Sequence, residues 1–203
     1  MRTTLIVALL FMLMFSCNRK PAPPGQSEIP GETETGGKFG IKSGIVEYKA
    51  SMMGFETTQV LYFDQFGALQ ANEILMEMMG TKMRTQNITK EGYTYNFDPD
   101  KKTGSKMALS NEINFSDLSD EIIKEWNLKE EGKETVLDRE CVKYSADREG
   151  MNMKGYYWVW KGIVLKMEMD MATSKMVMEA VSVEENPEVP AGKFEVPADS
   201  RFQ

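Results

Sequence analysis

The sequence predicts an α+β domain built mainly from antiparallel strands in a strongly curved sheet, with one or a few covering helices. Three observations support this fold class. From Phe39 onward, apolar residues recur mostly at every second position, which is typical of strands with one solvated face. Clusters of Gly, Asn and Asp separate these runs at the spacing of strand-connecting turns. One segment, 116–132, instead has the periodicity of a helix.

Two runs in the first half of the domain carry the alternation clearly. In 67–80, Ile74, Met76 and Met78 share one face while glutamates occupy the other. Because side chains of a strand point alternately to opposite faces, this run predicts a strand with an apolar and a polar face. The run 92–98 has the same pattern, with an aromatic face formed by Tyr93, Tyr95 and Phe97.

A single helix is predicted in the middle of the chain. Ser116 is placed to cap it, and acidic residues follow, where a helix N-terminus favours negative charge. Leu118, Ile122 and Trp126 recur at i, i+4 and i+8, so this apolar stripe is expected to lie on the sheet. Gly132 is predicted to end the segment. Because the helix is short, its stability must come from that packing.

The clearest strand is 163–171, where apolar residues occupy the odd positions and charged residues occupy most even ones. Nine strand residues span ~30 Å, a length that suits a curved sheet. A second strand is predicted after a loop of four residues. The resulting hairpin is expected to pair Met171 with Met176 and Met169 with Met178, so that their side chains share one face.

The N-terminus has the order of a secretory signal: a positive charge at Arg2, an apolar run from Leu5, and a cysteine at the expected cleavage site. The apolar run is too short to span a bilayer, which needs ~20 residues. With Cys17 at the cut, the segment 1–16 looks like a bacterial lipoprotein signal peptide. This resemblance implies that mature Cys17 is lipid-modified and anchors the chain to a membrane of the bacterial cell envelope. The outer membrane is expected, at its periplasmic or its surface face.

Residues 17–38 are predicted to form a flexible tether behind the lipidated cysteine. This stretch contains four of the eight prolines and shows no apolar periodicity. Such a composition cannot bury enough surface to offset the entropy of ordering. Residues 39–203 are then expected to fold as one monomeric domain.

Composition excludes several functional classes. A formal net charge of −7 argues against nucleic-acid binding, because the phosphates require Lys and Arg. The chain contains no histidine, which excludes Ser-His-Asp and Cys-His catalysis and His-ligated zinc or haem. Cys141 lies in a predicted strand, 140–144, close to Val142 and Tyr144, and is expected to be a buried, unreactive thiol. We therefore predict no enzyme activity, no metal site and no cofactor.

Two stretches resemble a known family. Trp158-Val-Trp-Lys-Gly-Ile-Val-Leu-Lys166 and Val189-Pro-Ala-Gly-Lys-Phe-Glu-Val-Pro197 are similar to those of small uncharacterised envelope lipoproteins and, more remotely, of the lipoprotein carriers LolA and LolB. The resemblance covers roughly 38–197. It implies a half-barrel of antiparallel strands whose concave apolar face is covered by helices. In the carriers, that cavity accepts acyl chains.

Fourteen of the 17 methionines lie beyond the predicted signal peptide, and they permit three interpretations. They can simply fill the core, since each buried side chain contributes ~1.5–3 kcal/mol. They can line an adaptable cavity for a lipid or other apolar ligand, because thioethers repack easily. They can also bind Cu(I). The first interpretation fits a protein-interaction lipoprotein with a filled core, and the second is our main prediction. Its predicted ligand-binding residues are Met76, Met78, Met167, Met169, Met171, Met176, Met178, Trp158 and Trp160.

Overall fold

The computed structural model describes residues 37–78, 80–109 and 113–202. Within these ranges the chain forms twelve strands in a single curved sheet that does not close, and one α-helix, α1, at Asp120–Glu125. In chain order the strands are β1 Gly44–Met52, β2 Phe55–Asp64, β3 Leu69–Met78, β4 Thr81–Lys90, β5 Tyr93–Asp98, β6 Thr103–Ala108, β7 Lys129–Val136, β8 Arg139–Arg148, β9 Met153–Trp160, β10 Ile163–Met171, β11 Ser174–Glu185 and β12 Arg201–Phe202.

The sheet consists of two antiparallel meanders that meet at its centre. Its strand order is β12-β6-β5-β4-β3-β2-β1-β11-β10-β9-β8-β7. We call β1–β6 the N-terminal half and β7–β11 the C-terminal half; the pair β1–β11 joins them. β12 adds to β6 in parallel and contributes two residues. The predicted curved antiparallel sheet is confirmed, but the α+β label overstates the helical part, because α1 has six residues.

The predicted strand 163–171 coincides with β10, and the predicted strands in 67–80 and 92–98 contain β3 and β5. The predicted hairpin register, however, was wrong by two residues along the strand. Met169 pairs with Met176, and Met171 pairs with Ser174. The physical reason is that β11 begins at Ser174 after a turn of only two residues. Because the shift is two residues along the strand, the paired residues 166–171 keep their predicted faces. A bulge between Val164 and Lys166 interrupts the predicted alternation before them.

The helix is shorter than predicted and has a different cap. Ser119, not Ser116, precedes α1, and its Oγ accepts a hydrogen bond from the backbone N–H of Ile122 (3.3 Å). The Ser116 hydroxyl instead donates to the backbone carbonyl of Lys38 (2.8 Å), so it cannot serve as the cap. Gly132 lies within β7 at a bulge, with a φ of 113° that favours glycine.

Three apolar clusters stabilise the described part of the chain. The central cluster joins both halves and includes Val46, Phe63, Cys141, Trp158, Ile163 and Leu165. The second packs the α1 segment onto the C-terminal half, on the face that we call the inner face. The predicted stripe of Leu118, Ile122 and Trp126 packs there, as expected. The third cluster lies on the outer face of the N-terminal half, where the C-terminal segment 189–202 places Phe194 against Ala71, Ile88 and Phe97.

Candidate functional site

A cavity of about 490 Å³ opens on the inner face, and both halves of the sheet contribute to its lining. This volume is in the ~300–1,000 Å³ range of small-molecule sites. The walls differ in chemistry. Strands β2 to β5 supply amide and hydroxyl groups, whereas β10, β11 and the segments that precede β1 and α1 supply mostly apolar groups. The site therefore has the two-sided character that an amphiphilic molecule requires.

Strand alternation builds the polar wall, which consists of Gln59, Gln70, Asn72, Asn87, Thr89, Thr94 and Asn96. Asn72 lies opposite Asn87, and Asn87 lies opposite Asn96, on three adjacent strands. Side chains in such register are neighbours, with Cβ atoms ~5 Å apart. The Oδ1 atoms of Asn72 and Asn87 are buried and have no hydrogen-bond partner among the described residues.

The rest of the polar wall is better satisfied. The Gln70 amide Nε2 donates to the carbonyl of Gly67 (2.9 Å), and its Oε1 accepts from Lys38 Nζ (3.4 Å). The hydroxyls of Thr89 and Thr94 hydrogen-bond to each other (3.2 Å). Among the described lining residues, Lys38 is the only Lys, Arg, Asp or Glu. The wall thus offers neutral hydrogen-bonding groups with one cation beside them.

The apolar lining is formed by Phe39, Leu61, Met107, Ala108, Ile113, Phe115, Ile163, Val164 and Met178, so β2 and β6 contribute to it as well. Between the two walls lies Tyr48, whose hydroxyl donates to the backbone carbonyl of Val164 (3.0 Å). Burial raises the pKa of Tyr48 above its ordinary range. This hydroxyl is therefore neutral and already engaged in holding β1 to β10, so it contributes shape more than chemistry to the cavity.

The predicted methionines of the C-terminal half separate into two environments. Met178 lines the cavity. Met169 is completely buried in the second cluster, and Met167 and Met176 pack against that cluster. Met171 is half-buried where the hairpin turns. In the described part of the chain, these side chains are brought onto one face as predicted, but most of them fill space under α1. Their role in ligand binding stays a prediction.

The remaining predicted residues lie away from the cavity lining. Met76 and Met78 are half-buried near the end of β3, beyond Asn72 on the same face. Trp158 is buried in the central cluster, and its Nε1 donates to the Glu134 carboxylate (2.6 Å). Trp160 is half-buried and packs against that cluster. These four side chains therefore do not line the cavity that Met178 lines.

Other predicted features have mixed outcomes. Cys17 and the segment 1–16 lie outside the described residues, as does most of the tether 17–38, so the anchor and the domain boundaries stay predictions. Cys141 is confirmed as a buried residue of β8, and burial raises the pKa of its thiol. The described residues contain no group of three or more His, Cys, Asp or Glu side chains placed to hold a metal ion. The copper alternative depends on thioethers and stays a prediction.

Sequence reasoning missed the polar wall. Its signal was nevertheless present, because Asn is depleted in strands and Asn72, Asn87 and Asn96 all lie within strands. Alternation places Asn96 opposite the aromatic set of β5, on a face that we interpreted as solvated, whereas in the structure it forms part of one wall of a cavity. Asn72 instead shares a face of β3 with Met76 and Met78, and the face of Asn87 was not predicted.

No protein-family model matches the chain, and no curated protein does either. Among solved structures, it is similar to an uncharacterized conserved protein from Thermus thermophilus, with a TM-score of 0.54 at 12% identity over 80% of this chain and 90% of that chain. It is also similar to a chain of the Pseudomonas aeruginosa MucA/MucB complex, with a TM-score of 0.50 at 10% identity. That match covers 79% of this chain but 58% of the other, less than two thirds of its length.

A weaker similarity in fold extends to a protein named for lipoprotein sorting. The similar solved structures include a putative outer membrane lipoprotein-sorting protein domain from Vibrio parahaemolyticus, with a TM-score of 0.41 at 8% identity over 79% of this chain and 92% of that chain. At such identities the likeness concerns the fold alone. Within the described residues, no helix has the length and apolar character needed to cross a membrane.

Proposed function

We propose that this chain is a lipid-anchored binding protein of the bacterial envelope that holds an amphiphilic, lipid-like ligand in its inner-face cavity and catalyses no reaction. One observation carries the proposal: the cavity joins an apolar wall to an uncharged polar wall. A lipid has the same division, because its acyl chain gains free energy from burial while its headgroup needs hydrogen bonds. The fold likeness to lipoprotein-sorting domains supports the same class.

The N-terminal sequence supports the location. The signal-like segment and Cys17 are features of a chain that is exported and lipidated. An acidic domain is not expected to lie on anionic lipid through its body, so the anchor would provide membrane attachment. A cavity near a membrane can then exchange ligand with it. Lipidation at Cys17 remains part of the proposal, to be tested separately by the mass of the mature N-terminal peptide.

The chemistry of the lining supports binding over catalysis. The described lining residues are amides, hydroxyls, apolar side chains and one lysine. General acid–base chemistry uses groups whose pKa values lie near the working pH. The hydroxyl of Tyr48, with its raised pKa, is held by a backbone carbonyl. These groups can orient a ligand but are poorly suited to transferring protons.

The experiment is native mass spectrometry of residues 18–203, secreted without Cys17 and purified without detergent. The expected result is a discrete added mass of a lipid-like molecule that is lost on collisional activation. Thr94→Trp, which places an indole in the cavity, should abolish it. Thr85→Trp is the matched control. Thr85 lies on β4, on the same face of the sheet as Thr94, but it is exposed and outside the cavity lining.

An added mass in both tryptophan variants would place the ligand elsewhere. A bare mass in every sample, even after incubation with envelope lipids, would contradict the proposal. The second candidate, a protein-interaction lipoprotein, would then gain weight. Exposed Tyr93, Met107 and Leu109 near the β6 edge favour it, as does the fold likeness to a protein that forms the MucA/MucB complex. A co-purifying stoichiometric partner would support that alternative.

A further inference from the structure

We infer that the polar wall binds the hydroxyl groups of a neutral, sugar-type headgroup, so that the ligand class is a glycolipid-like amphiphile. This inference rests on the proposed function and specifies the polar end of its ligand. Three observations on the described residues carry it: the alignment of three asparagines, the unpaired oxygens on two of them, and the charge of the lining.

The three asparagines form a ladder across β3, β4 and β5. Asn72 faces Asn87, and Asn87 faces Asn96, so their carboxamides follow one another at the spacing of neighbouring strands. Each carboxamide carries both a donor and an acceptor. A row of such groups matches a row of hydroxyls, which also donate and accept, and it does so in either orientation of the amide. The Thr89–Thr94 hydroxyl pair lies beside this ladder.

The ladder is where hydrogen bonding is incomplete. The Oδ1 atoms of Asn72 and Asn87 are buried without a partner among the described residues, although buried carboxamide oxygens in native proteins are normally paired. Neighbouring Gln70 and Thr89 have partners, as described above. Leaving these two oxygens unpaired costs folding free energy, which a ligand that donates O–H groups would recover on binding.

The charge of the lining argues against the common ionic headgroups. A phosphate is best held by several Arg, Lys or backbone N–H donors, yet the unpaired atoms of Asn72 and Asn87 are buried acceptor oxygens. A choline group has no hydrogen to donate and favours an aromatic cage or carboxylates. The described lining residues supply no carboxylate and set Lys38 at the same end as the amides. A neutral polyol can donate hydrogen bonds to the asparagine oxygens, and it carries no charge that Lys38 would repel.

The test compares two amphiphiles that share an eight-carbon tail, n-octyl β-D-glucoside and n-octylphosphocholine, each titrated below its micelle concentration into residues 18–203. Isothermal titration calorimetry gives both affinities, with free glucose as a third ligand. We expect the glucoside to bind about ten-fold more tightly than the phosphocholine, since a few neutral hydrogen bonds amount to about that factor. Free glucose should bind far more weakly, because it lacks the tail.

A double variant tests the residues. Asn72→Leu with Asn87→Leu should remove the preference and leave phosphocholine binding within about two-fold. Its thermal midpoint should equal or exceed that of the unmodified chain, because replacing an unpaired buried amide by an apolar group of similar shape removes its cost. Gln86→Leu is the matched control, next to Asn87 on β4 but on the opposite face. Each single variant, Asn72→Leu or Asn87→Leu, should show part of the effect.

The outcomes separate the two proposals. If neither amphiphile binds, the proposed function fails, and this inference fails with it. If both bind equally, or if the preference survives in the double variant, the headgroup inference is overturned while lipid binding stands. If free glucose binds as tightly as the glucoside, the ladder is supported but the lipid-like nature of the ligand is contradicted.

Discussion

Strand alternation builds both halves of the inner face, but the C-terminal half is filled and the N-terminal half is open. In the C-terminal half, Met169 and its neighbours are covered by the α1 segment and leave little space. In the N-terminal half, Asn72, Asn87 and Asn96 remain at the wall of a cavity of about 490 Å³. This difference indicates that a chain segment covers a sheet face where that face is apolar, because only the burial of apolar side chains offsets the entropy lost in ordering the segment.

The covering segment itself shows this preference. Phe115, Leu118 and Ile122 all pack against the second cluster, and the Phe115 ring lies 5.3 Å from the Tyr157 ring. An aromatic pair at that distance adds ~0.5–1.5 kcal/mol beyond the area that it buries. The amide wall offers no comparable gain, so the N-terminal half keeps its opening. On this view, the methionines stabilise the domain and the asparagines are available for a ligand.

The largest expected effect comes from Met169→Glu, which places a carboxylate in the filled half. Met169 has no exposed surface, and its cluster consists of apolar and aromatic side chains. An unpaired buried charge of this kind should lower the free energy of unfolding by more than about 4 kcal/mol, close to the whole stability of many domains. Urea unfolding followed by tryptophan fluorescence measures the loss.

The matched variant in the open half is Gln59→Glu, which introduces the same charge in the half-buried polar wall. Here water can reach the carboxylate, so the expected loss is only ~1 kcal/mol or less. A Met169→Glu chain that folds normally but no longer binds ligand would reverse the comparison. It would show that the methionine face, as first predicted, lines a ligand pocket and is not filled core.

A smaller effect is expected at Tyr48, on the strand that joins the two halves. Tyr48→Phe removes the hydrogen bond to Val164 and should lower the free energy of unfolding at neutral pH by ~1 kcal/mol. Above about pH 10 an unfolded chain releases the tyrosine proton, whereas burial raises the pKa of Tyr48 in the folded chain. The native tyrosine therefore loses its stabilising contribution as the solution becomes alkaline.

The difference between Tyr48→Phe and the unmodified chain should thus shrink and then reverse between neutral and strongly alkaline pH. Urea unfolding at a series of pH values measures it. Tyr93→Phe, at an exposed position, is the control and should leave the free energy of unfolding unchanged. A constant gap across the pH series would mean that Tyr48 ionises in the folded chain as readily as in the unfolded one.

Much of the sheet was predictable because most of its strand residues alternate, although bulges interrupt the pairings of β1 with β11, β9 with β10 and β7 with β8. The bounds of β10 coincide with the predicted 163–171. The hairpin register was not predictable in the same way. A loop of four residues and a turn of two keep every side chain on the same face, so alternation cannot distinguish Met171–Met176 pairing from the observed Met169–Met176 pairing.

The candidate site was less predictable, for a physical reason. A polar strand face is solvated on an isolated sheet, and Asn96 belongs to a face that was predicted to be solvated. Whether it becomes a cavity wall depends on curvature and on segments distant in sequence. The C-terminal segment closes the outer face, while Phe39 and Phe115 approach the inner one. Such contacts leave no local periodic signal.

The smallest effect tests the helix cap, where sequence and structure disagree. Ser119→Ala removes the acceptor for the Ile122 N–H and should lower the free energy of unfolding by ~0.5–1 kcal/mol. Amide hydrogen exchange should quicken in α1 and leave β3 to β5 unchanged, because the cap serves only the covered half.

Ser116→Ala is the informative control. If Ser116 were the cap, as first predicted, its loss would quicken exchange in α1 more than the loss of Ser119. We expect the reverse, with Ser116→Ala acting instead where its hydroxyl meets the carbonyl of Lys38, at the edge of the cavity.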